Sequence, residues 1–391
     1  MSHPHCGVDS STALGKGGIV ENTVKRNHVR AVARAIPVFR ALAGVALVVL
    51  VCVVLAGCDR ATKHEPVSYD VVFADDGISR SLFIADPESN VVVDSIPNVG
   101  HVIQSAVSPD GLWLYLFVGT DGHHQGGIYK IDLRARSQAA YLPIGGGLAL
   151  IDSGKTLVMG GNFDSLYFID TESFRVRETR PRSIWGPSGR LDASILVGPA
   201  VPPGLNQTLA VYDYSADTYE TVPISGGYGI YETFVHPDKR RVFVVGTAGQ
   251  LFVVDIITQE VVALWRLHSP FARVVFSPTG DTAYISNPED PDDPDLIGCA
   301  EGELLCASVT GGQHSLLRTI PTGAPVMGMA LSPDGSRLYC TRALTVCGAG
   351  GGGGDVISVD TRQLTISPDT IHPPGPGQPR DVLVAWQAER R

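Results

Sequence analysis

The chain has 391 residues, with 30 Lys and Arg against 40 Asp and Glu, for a formal net charge of −10. Its hydrophobic content of 44% is ample for a sizeable core. The acidic balance sets nucleic acid aside as a partner, because such a surface repels phosphate backbones.

The first 57 residues differ from the rest in composition. Lys16, Lys25, Arg26, Arg30, Arg34 and Arg40 form a basic lead, and residues 41–55 are apolar apart from one Gly. The run ends in Leu55-Ala56-Gly57-Cys58. A basic lead, a short apolar stretch and small residues at the cleavage point describe a secretory signal. A Cys directly after Leu-Ala-Gly resembles the lipobox of bacterial lipoproteins, in which that thiol receives a diacylglyceryl group before cleavage. The resemblance implies lipidation at Cys58 and a tether to a membrane, with the remainder on the periplasmic or extracellular side of the bacterial envelope. The alternative is an uncleaved transmembrane anchor, since residues 41–57 are nearly long enough to span. Asp59 resembles an inner-membrane retention signal of enteric bacteria. Residues 58–69 read as a polar tether. Removing residues 1–57 takes away six Lys/Arg and two Asp/Glu, leaving 24 basic and 38 acidic residues, a net of −14.

From residue 70 a strand pattern ending in Asp recurs. Its copies are Leu82-Phe83-Ile84-Ala85-Asp86, Ile128-Tyr129-Lys130-Ile131-Asp132, Leu166-Tyr167-Phe168-Ile169-Asp170, Leu209-Ala210-Val211-Tyr212-Asp213, Leu251-Phe252-Val253-Val254-Asp255 and Val356-Ile357-Ser358-Val359-Asp360. A degenerate copy fits residues 306–310, with Thr310 in place of Asp. Steps of 38 to 55 residues between these ends suit propeller blades. About 20 residues before most ends lies a turn signature. Ser108-Pro109-Asp110-Gly111 and Ser332-Pro333-Asp334-Gly335 are the clearest; Ser277-Pro278-Thr279-Gly280, His236-Pro237-Asp238-Lys239 and Gly186-Pro187-Ser188-Gly189 are variants, and Asp152-Ser153-Gly154 is a shortened form. Pro presets φ at the second position of a type I turn and Gly closes the fourth.

Each repeat reads as four strands, A to D, with the turn between A and B and the Asp at the end of C. The first copy begins at Val71-Val72-Phe73, which reads as strand B. The last is followed by Arg380-Asp381-Val382-Leu383-Val384-Ala385-Trp386, which reads as strand A. The C-terminal strand is therefore expected to complete the first blade, giving an all-β, seven-bladed propeller over residues 70–388. The recurrent Ser-Pro-Asp-Gly, the Leu-Tyr that follows it, and Ile169-Asp170-Thr171 with Val359-Asp360-Thr361 resemble the YVTN-type or YncE-like propeller repeats of bacteria. That resemblance implies the fold and carries little about function, because its motifs are turn and packing residues.

Four cysteines remain after the signal: Cys299, Cys306, Cys340 and Cys347. An even number in an exported protein suggests disulfides. Local bridges Cys299–Cys306 and Cys340–Cys347 are the first expectation, and pairing across neighbouring blades the second. A zinc site is the third, weakened by the lack of a tight Cys-x-x-Cys.

In a propeller the B–C and D–A loops share one face around the channel mouth. Three B–C loops are long: residues 119–127, 287–303 and 341–354. They carry His123-His124, the acidic run from Glu289 to Asp295, and the Gly-rich run 348–354. Each reads as a solvated loop, with no calcium-loop spacing and no strand–turn–helix around the glycines. The starts of the A strands hold His101 or Gln104, Tyr231 and Glu232, Arg273, and Arg380 and Asp381. Gln104, Glu232, Arg273, Arg380 and Asp381 are the candidate ligand-binding residues, since Arg with carboxylate partners holds small polar ligands or anions; a self-satisfied ion-pair ring is the competing reading.

No catalytic motif, metal or cofactor is expected. The function expected is an envelope-anchored scaffold that binds an envelope protein or a small ligand through its loop face. The alternative is a propeller enzyme, either a lactonase-like hydrolase or a subunit of quinone-dependent dehydrogenase type.

Overall fold

The computed structural model describes residues 69–75, 80–120, 126–161, 165–189, 193–200, 207–224, 229–267, 272–288, 302–310, 314–344, 353–374 and 379–386. The signal, Cys58, the tether up to residue 68, His123-His124, the acidic run, the Gly-rich run up to residue 352, Cys299 and Cys347 lie outside them. Strands β1–β3 come first (Tyr69–Asp75, Leu82–Asp86, Val91–Ile96). They are followed by β4–β7 (Val102–Val107, Trp113–Val118, Gly127–Asp132, Ser137–Leu142) and β8–β11 (Gly147–Ile151, Thr156–Gly161, Ser165–Asp170, Arg175–Arg180). Then come β12–β15 (Ser188–Gly189, Ile195–Pro199, Thr208–Asp213, Thr218–Pro223) and β16–β19 (Ile230–Val235, Arg241–Gly246, Gln250–Asp255, Glu260–Arg266). The last are β20–β23 (Val274–Phe276, Thr282–Pro288, Gly302–Ser308, Ser315–Pro321), β24–β27 (Val326–Leu331, Arg337–Leu344, Gly353–Asp360, Thr365–Ile371) and β28 (Pro379–Trp386).

From β4 to β27 each run of four consecutive strands is one antiparallel sheet, and β28 joins the first three in the order β28-β1-β2-β3. The result is a seven-bladed β-propeller. Its ring is closed as the sequence implies: β28 pairs along β1 from Tyr69 opposite Trp386 to Asp75 opposite Pro379. First and last strands thus cover each other's edges.

The core lies between blades. Strand alternation turns one face of each sheet to the next. Val72, Ile84, Leu114, Leu116 and Ile131 fill the space between blades 1 and 2, and Val71, Phe73 and Phe83 meet Tyr339, Val356 and Ile371 between blades 1 and 7. The outermost strands are half in water: Val91 and Val93 of β3 are 55% and 47% exposed.

The repeated Asp residues cap turns. Asp132 Oδ1 accepts from the backbone N–H of Arg134 and Ala135 (2.9 and 2.8 Å), and Asp360 Oδ1 from those of Arg362 and Gln363 (both 2.8 Å). Asp86, Asp170, Asp213 and Asp255 do the same for at least one N–H two or three residues on. Four residues after each Asp the backbone turns left-handed, at Asn90, Arg136, Phe174, Asp217, Gln259 and Leu364. The side-chain carboxylate replaces a backbone acceptor, and the left-handed residue turns the chain into strand D. The A–B turns are built as their sequence demands. Ser108 Oγ donates to Asp110, Leu112 N–H donates to the same carboxylate, and Gly111 has φ +67°.

Two expectations are corrected. Thr282 pairs with Ser308 where Trp113 pairs with Asp132, so Ser308 is the sixth blade's strand-end residue and Thr310 lies two beyond it. Residues 186–189 are not a turn. Ser188–Gly189 is the inner strand β12, paired with Val197 and Leu196. Gly-Pro-Ser-Gly has turn composition, but the pairing of Leu196 with Tyr212, next to Asp213, fixes this stretch one strand inward.

Cys306 on β22 and Cys340 on β25 are free thiols, both fully buried. Burial pushes the Cys306 thiol up to about 11, and raises Cys340 further still.

Candidate functional site

The inner strands of the seven blades carry one residue each at a common register level. Strand pairing puts Asp381 opposite Ala74, Gln104 opposite Phe117, Gly147 opposite Gly160, Glu232 opposite Val245 and Gly328 opposite Thr341. In blade 6 the level is held by Arg273, whose carbonyl accepts from Ser286 N–H (3.0 Å) and whose N–H donates to Ser286 Oγ (2.7 Å). In blade 4 it falls on Gly186, two residues ahead of Ser188. The level thus reads Asp381, Gln104, Gly147, Gly186, Glu232, Arg273, Gly328 from blade 1 to blade 7. Just before it the inner strands bulge: the register skips Ile103, Tyr231, Met327 and Arg380. A bulge re-aims side chains at a sheet's end, and four blades use it at the same place.

Four of the five sequence candidates share this level, and Arg380 is the bulge residue beside it. Glu232 and Arg273 are brought together, with Arg273 Nη1 donating to Glu232 Oε2 across blades 5 and 6. Both stay partly open to solvent, at 32% side-chain exposure for Arg273 and 21% for Glu232. Arg273 Nε also reaches the Met327 carbonyl of blade 7 at 3.5 Å. One guanidinium therefore spans three blades.

Gln104 is not part of this group. Its Oε1 accepts from Leu148 N–H of blade 3 (2.8 Å), which ties blade 2 to blade 3. Beyond it the wall is backbone. A Cβ on Gly147 would lie 2.1 Å from Gly186 Cα and 3.0 Å from Gln104 Oε1, so only glycine fits there. Gly186 itself sits at φ +52°. Arg380 and Asp381 have their backbone in β28, and their side chains lie outside the described residues. His101 accepts from Gly119 N–H through its carbonyl (2.9 Å), which pins the start of the first long B–C loop.

Sequence reasoning missed the bases of the other two long loops. Arg342 and Asp355 face each other across β25 and β26 and pair twice, Nε to Oδ1 at 2.8 Å and Nη2 to Oδ2 at 2.6 Å. Asp355 is 2% exposed, and Arg342 Nη1 also donates to the Thr322 carbonyl (2.5 Å). The equivalent positions of blade 6 hold Asn287 and Glu303, with Asn287 Nδ2 3.4 Å from Glu303 Oε2. A forked Arg–carboxylate pair with low exposure holds its geometry firmly. Polar residues at directly opposed strand ends are the signal that would have found them. Among the described residues no group of three or more His, Cys, Asp or Glu is arranged to hold a metal ion.

No protein-family model matches the chain, and no curated protein matches it in sequence. Solved structures do. A functionally unknown protein from Desulfotomaculum acetoxidans superposes with a TM-score of 0.55 at 11% identity, covering 81% of this chain and 99% of that one. The β-propeller domain of Myceliophteria thermophila Cps50 (Swd1) gives 0.54 at 11% identity, over 71% of this chain and 88% of that one. The dihydro-heme d1 dehydrogenase NirN, solved in complex with DHE, gives 0.53 at 15% identity, over 80% of this chain and 65% of that one. At these identities the likeness is one of fold: the chain is a β-propeller whose architecture is shared by proteins of different kinds.

Proposed function

We propose that this chain is a propeller scaffold anchored in the bacterial cell envelope, and that it holds a partner protein or small polar ligand on the face of its B–C and D–A loops. The observation that carries the reading is the Glu232–Arg273 pair. It sits at the common level of the inner strands, spans neighbouring blades and stays partly open to solvent. The Arg342–Asp355 pair is less open, at 17% and 3% side-chain exposure. The ordered bases of the long loops in blades 6 and 7 add to this, because loops on a rigid scaffold are where recognition concentrates. Anchoring rests on Leu55-Ala56-Gly57-Cys58 and its resemblance to a lipobox.

The test is affinity capture from detergent-solubilised envelope with the wild-type chain and with Arg273→Ala. A partner held by the wild type and lost from the variant is the expected result. Equal capture by both would remove the site from the reading. Cys58→Ser should move the chain from the membrane to the soluble fraction; retention in the membrane would replace the lipid anchor with a spanning segment. Metal analysis with a lactone-hydrolysis screen on the same preparation tests the enzyme alternative, and bound metal with turnover would favour it.

A further inference from the structure

We propose that Cys306 and Cys340 join in a disulfide that locks blade 6 to blade 7. The proposal does not depend on the binding function above.

The two residues face one shared core. Cys306 lies on the third strand of blade 6 and Cys340 on the second strand of blade 7. Both are 0% exposed and belong to one cluster, in which Leu304 and Ile320 of blade 6 pack with Leu338 and Ile357 of blade 7. They are near enough that charge on Cys306 helps to raise the Cys340 thiol. A disulfide between the facing middle strands of two packed sheets is a known solution to sheet–sheet cross-linking.

Chain geometry disfavours the local bridges. Cys306 is four residues inside β22, which starts at Gly302, and Cys340 is four residues inside β25, which ends at Leu344. Four strand residues span about 13 Å. Cys299 and Cys347 each lie three residues beyond those strand ends, a reach of about 10 Å at most. A local bridge would have to bring the chain back along the sheet and insert it into a site the opposite blade already fills. Disulfides need Cα atoms within about 7 Å.

The chemistry is thiol–disulfide exchange. One thiol loses its proton and attacks a disulfide oxidant, such as oxidised glutathione, releasing one thiol. The second cysteine then displaces the other half, so that two protons and two electrons leave the pair and the oxidant becomes two thiols. The structure holds both thiols reduced, buried and raised, so exchange is slow once the blades have closed. The bond forms during folding.

The experiment refolds the full-length chain in a glutathione redox buffer, blocks free thiols with N-ethylmaleimide in denaturant and maps non-reduced peptides by mass spectrometry. The buffer supplies the oxidant, so the result is independent of where the chain resides. A peptide joining Cys306 to Cys340 is expected, together with a fall in Tm of about 5 °C on reduction. Cys306→Ala should leave Cys340 alkylated and remove that fall; if the variant does not fold, the wild-type map under oxidising and reducing conditions carries the test. Alkylation of both core cysteines, or peptides joining Cys299 to Cys306 or Cys340 to Cys347, would overturn the proposal.

Discussion

At one register level the inner ring has two arcs of opposite character. In blades 2 to 4 it carries Gln104, Gly147 and Gly186, with backbone against backbone and the Gln104 amide bridging blades. In blades 5 and 6 it carries Glu232 and Arg273, charged and partly open to water. The same position of the repeat thus serves closure on one side and charge on the other. The glycine arc also holds the shortest inner strand among the described residues, the two-residue β12. Changes in the glycine arc should therefore be felt as stability, and changes in the charged arc as recognition.

The largest expected effect lies at Gly147. A methyl group there would sit 2.1 Å from Gly186 Cα, and backbone has little freedom to yield. Gly147→Ala should cost about 3 kcal/mol, at the upper end for overpacking. Urea unfolding of both forms measures it. A cost below about 1 kcal/mol would mean that the blades can part at this point, and the contrast between the arcs would fail.

One tyrosine tests the same half of the molecule at alkaline pH. Tyr115 packs between blades 2 and 3 against Leu148, Met159 and Phe174. Burial pushes its phenol up to about 12, against a weaker opposing pull from the Thr171 hydroxyl. The neutral form is the one the fold prefers. The corresponding stability is complete below about pH 10, the unfolded value, and is lost as pH rises towards about 12. The shift corresponds to about 2–3 kcal/mol. Tyr115→Phe should make the stability profile less steep between pH 10 and 12, leaving the slope of the other tyrosines that burial raises, among them Tyr284 and Tyr339. An unchanged profile would show that the titration responsible lies in another blade.

Most of the ring was legible in the sequence because its turns are local chemistry. An Asp that caps its own turn two residues on, and a Gly forced to positive φ at position 111 or 335, need no distant partner to be recognised. Closure by β28 was legible for the same reason, since a lone B strand at one end and a lone A strand at the other leave one solution. Blade 4 misled because Gly-Pro-Ser-Gly has turn composition wherever it stands, and only pairing with Leu196 and Val197 reveals a strand. Ser308 was missed in favour of Thr310 because a strand end without Asp has no local mark. Gln104, Glu232, Arg273 and Asp381 were found as strand starts, but which of them meet depends on blade order and on side-chain reach. No local pattern encodes that the Gln104 side chain turns to Leu148 while Arg273 turns to Glu232.

The smallest stability effect, and the sharpest test of the contrast, lies in the charged arc. Glu232 and Arg273 keep enough solvent contact that their attraction is screened, and such pairs contribute about 1 kcal/mol or less. Arg273→Ala should therefore lower stability by about 1 kcal/mol, a third of the Gly147→Ala cost. The charge-swapped double variant, Glu232→Arg with Arg273→Glu, should regain most of that loss, because the pair can re-form with its members exchanged. Denaturation of the wild type, Glu232→Arg, Arg273→Glu and the double variant gives the coupling directly. Recognition should behave differently. A partner or ligand that reads the orientation of the pair will not bind the swapped form, even where stability is restored. If the swap restores both, the pair acts through its presence and not through its direction, and the binding face must be sought on the loops above it. If Arg273→Ala costs as much as Gly147→Ala, the two arcs share one structural task.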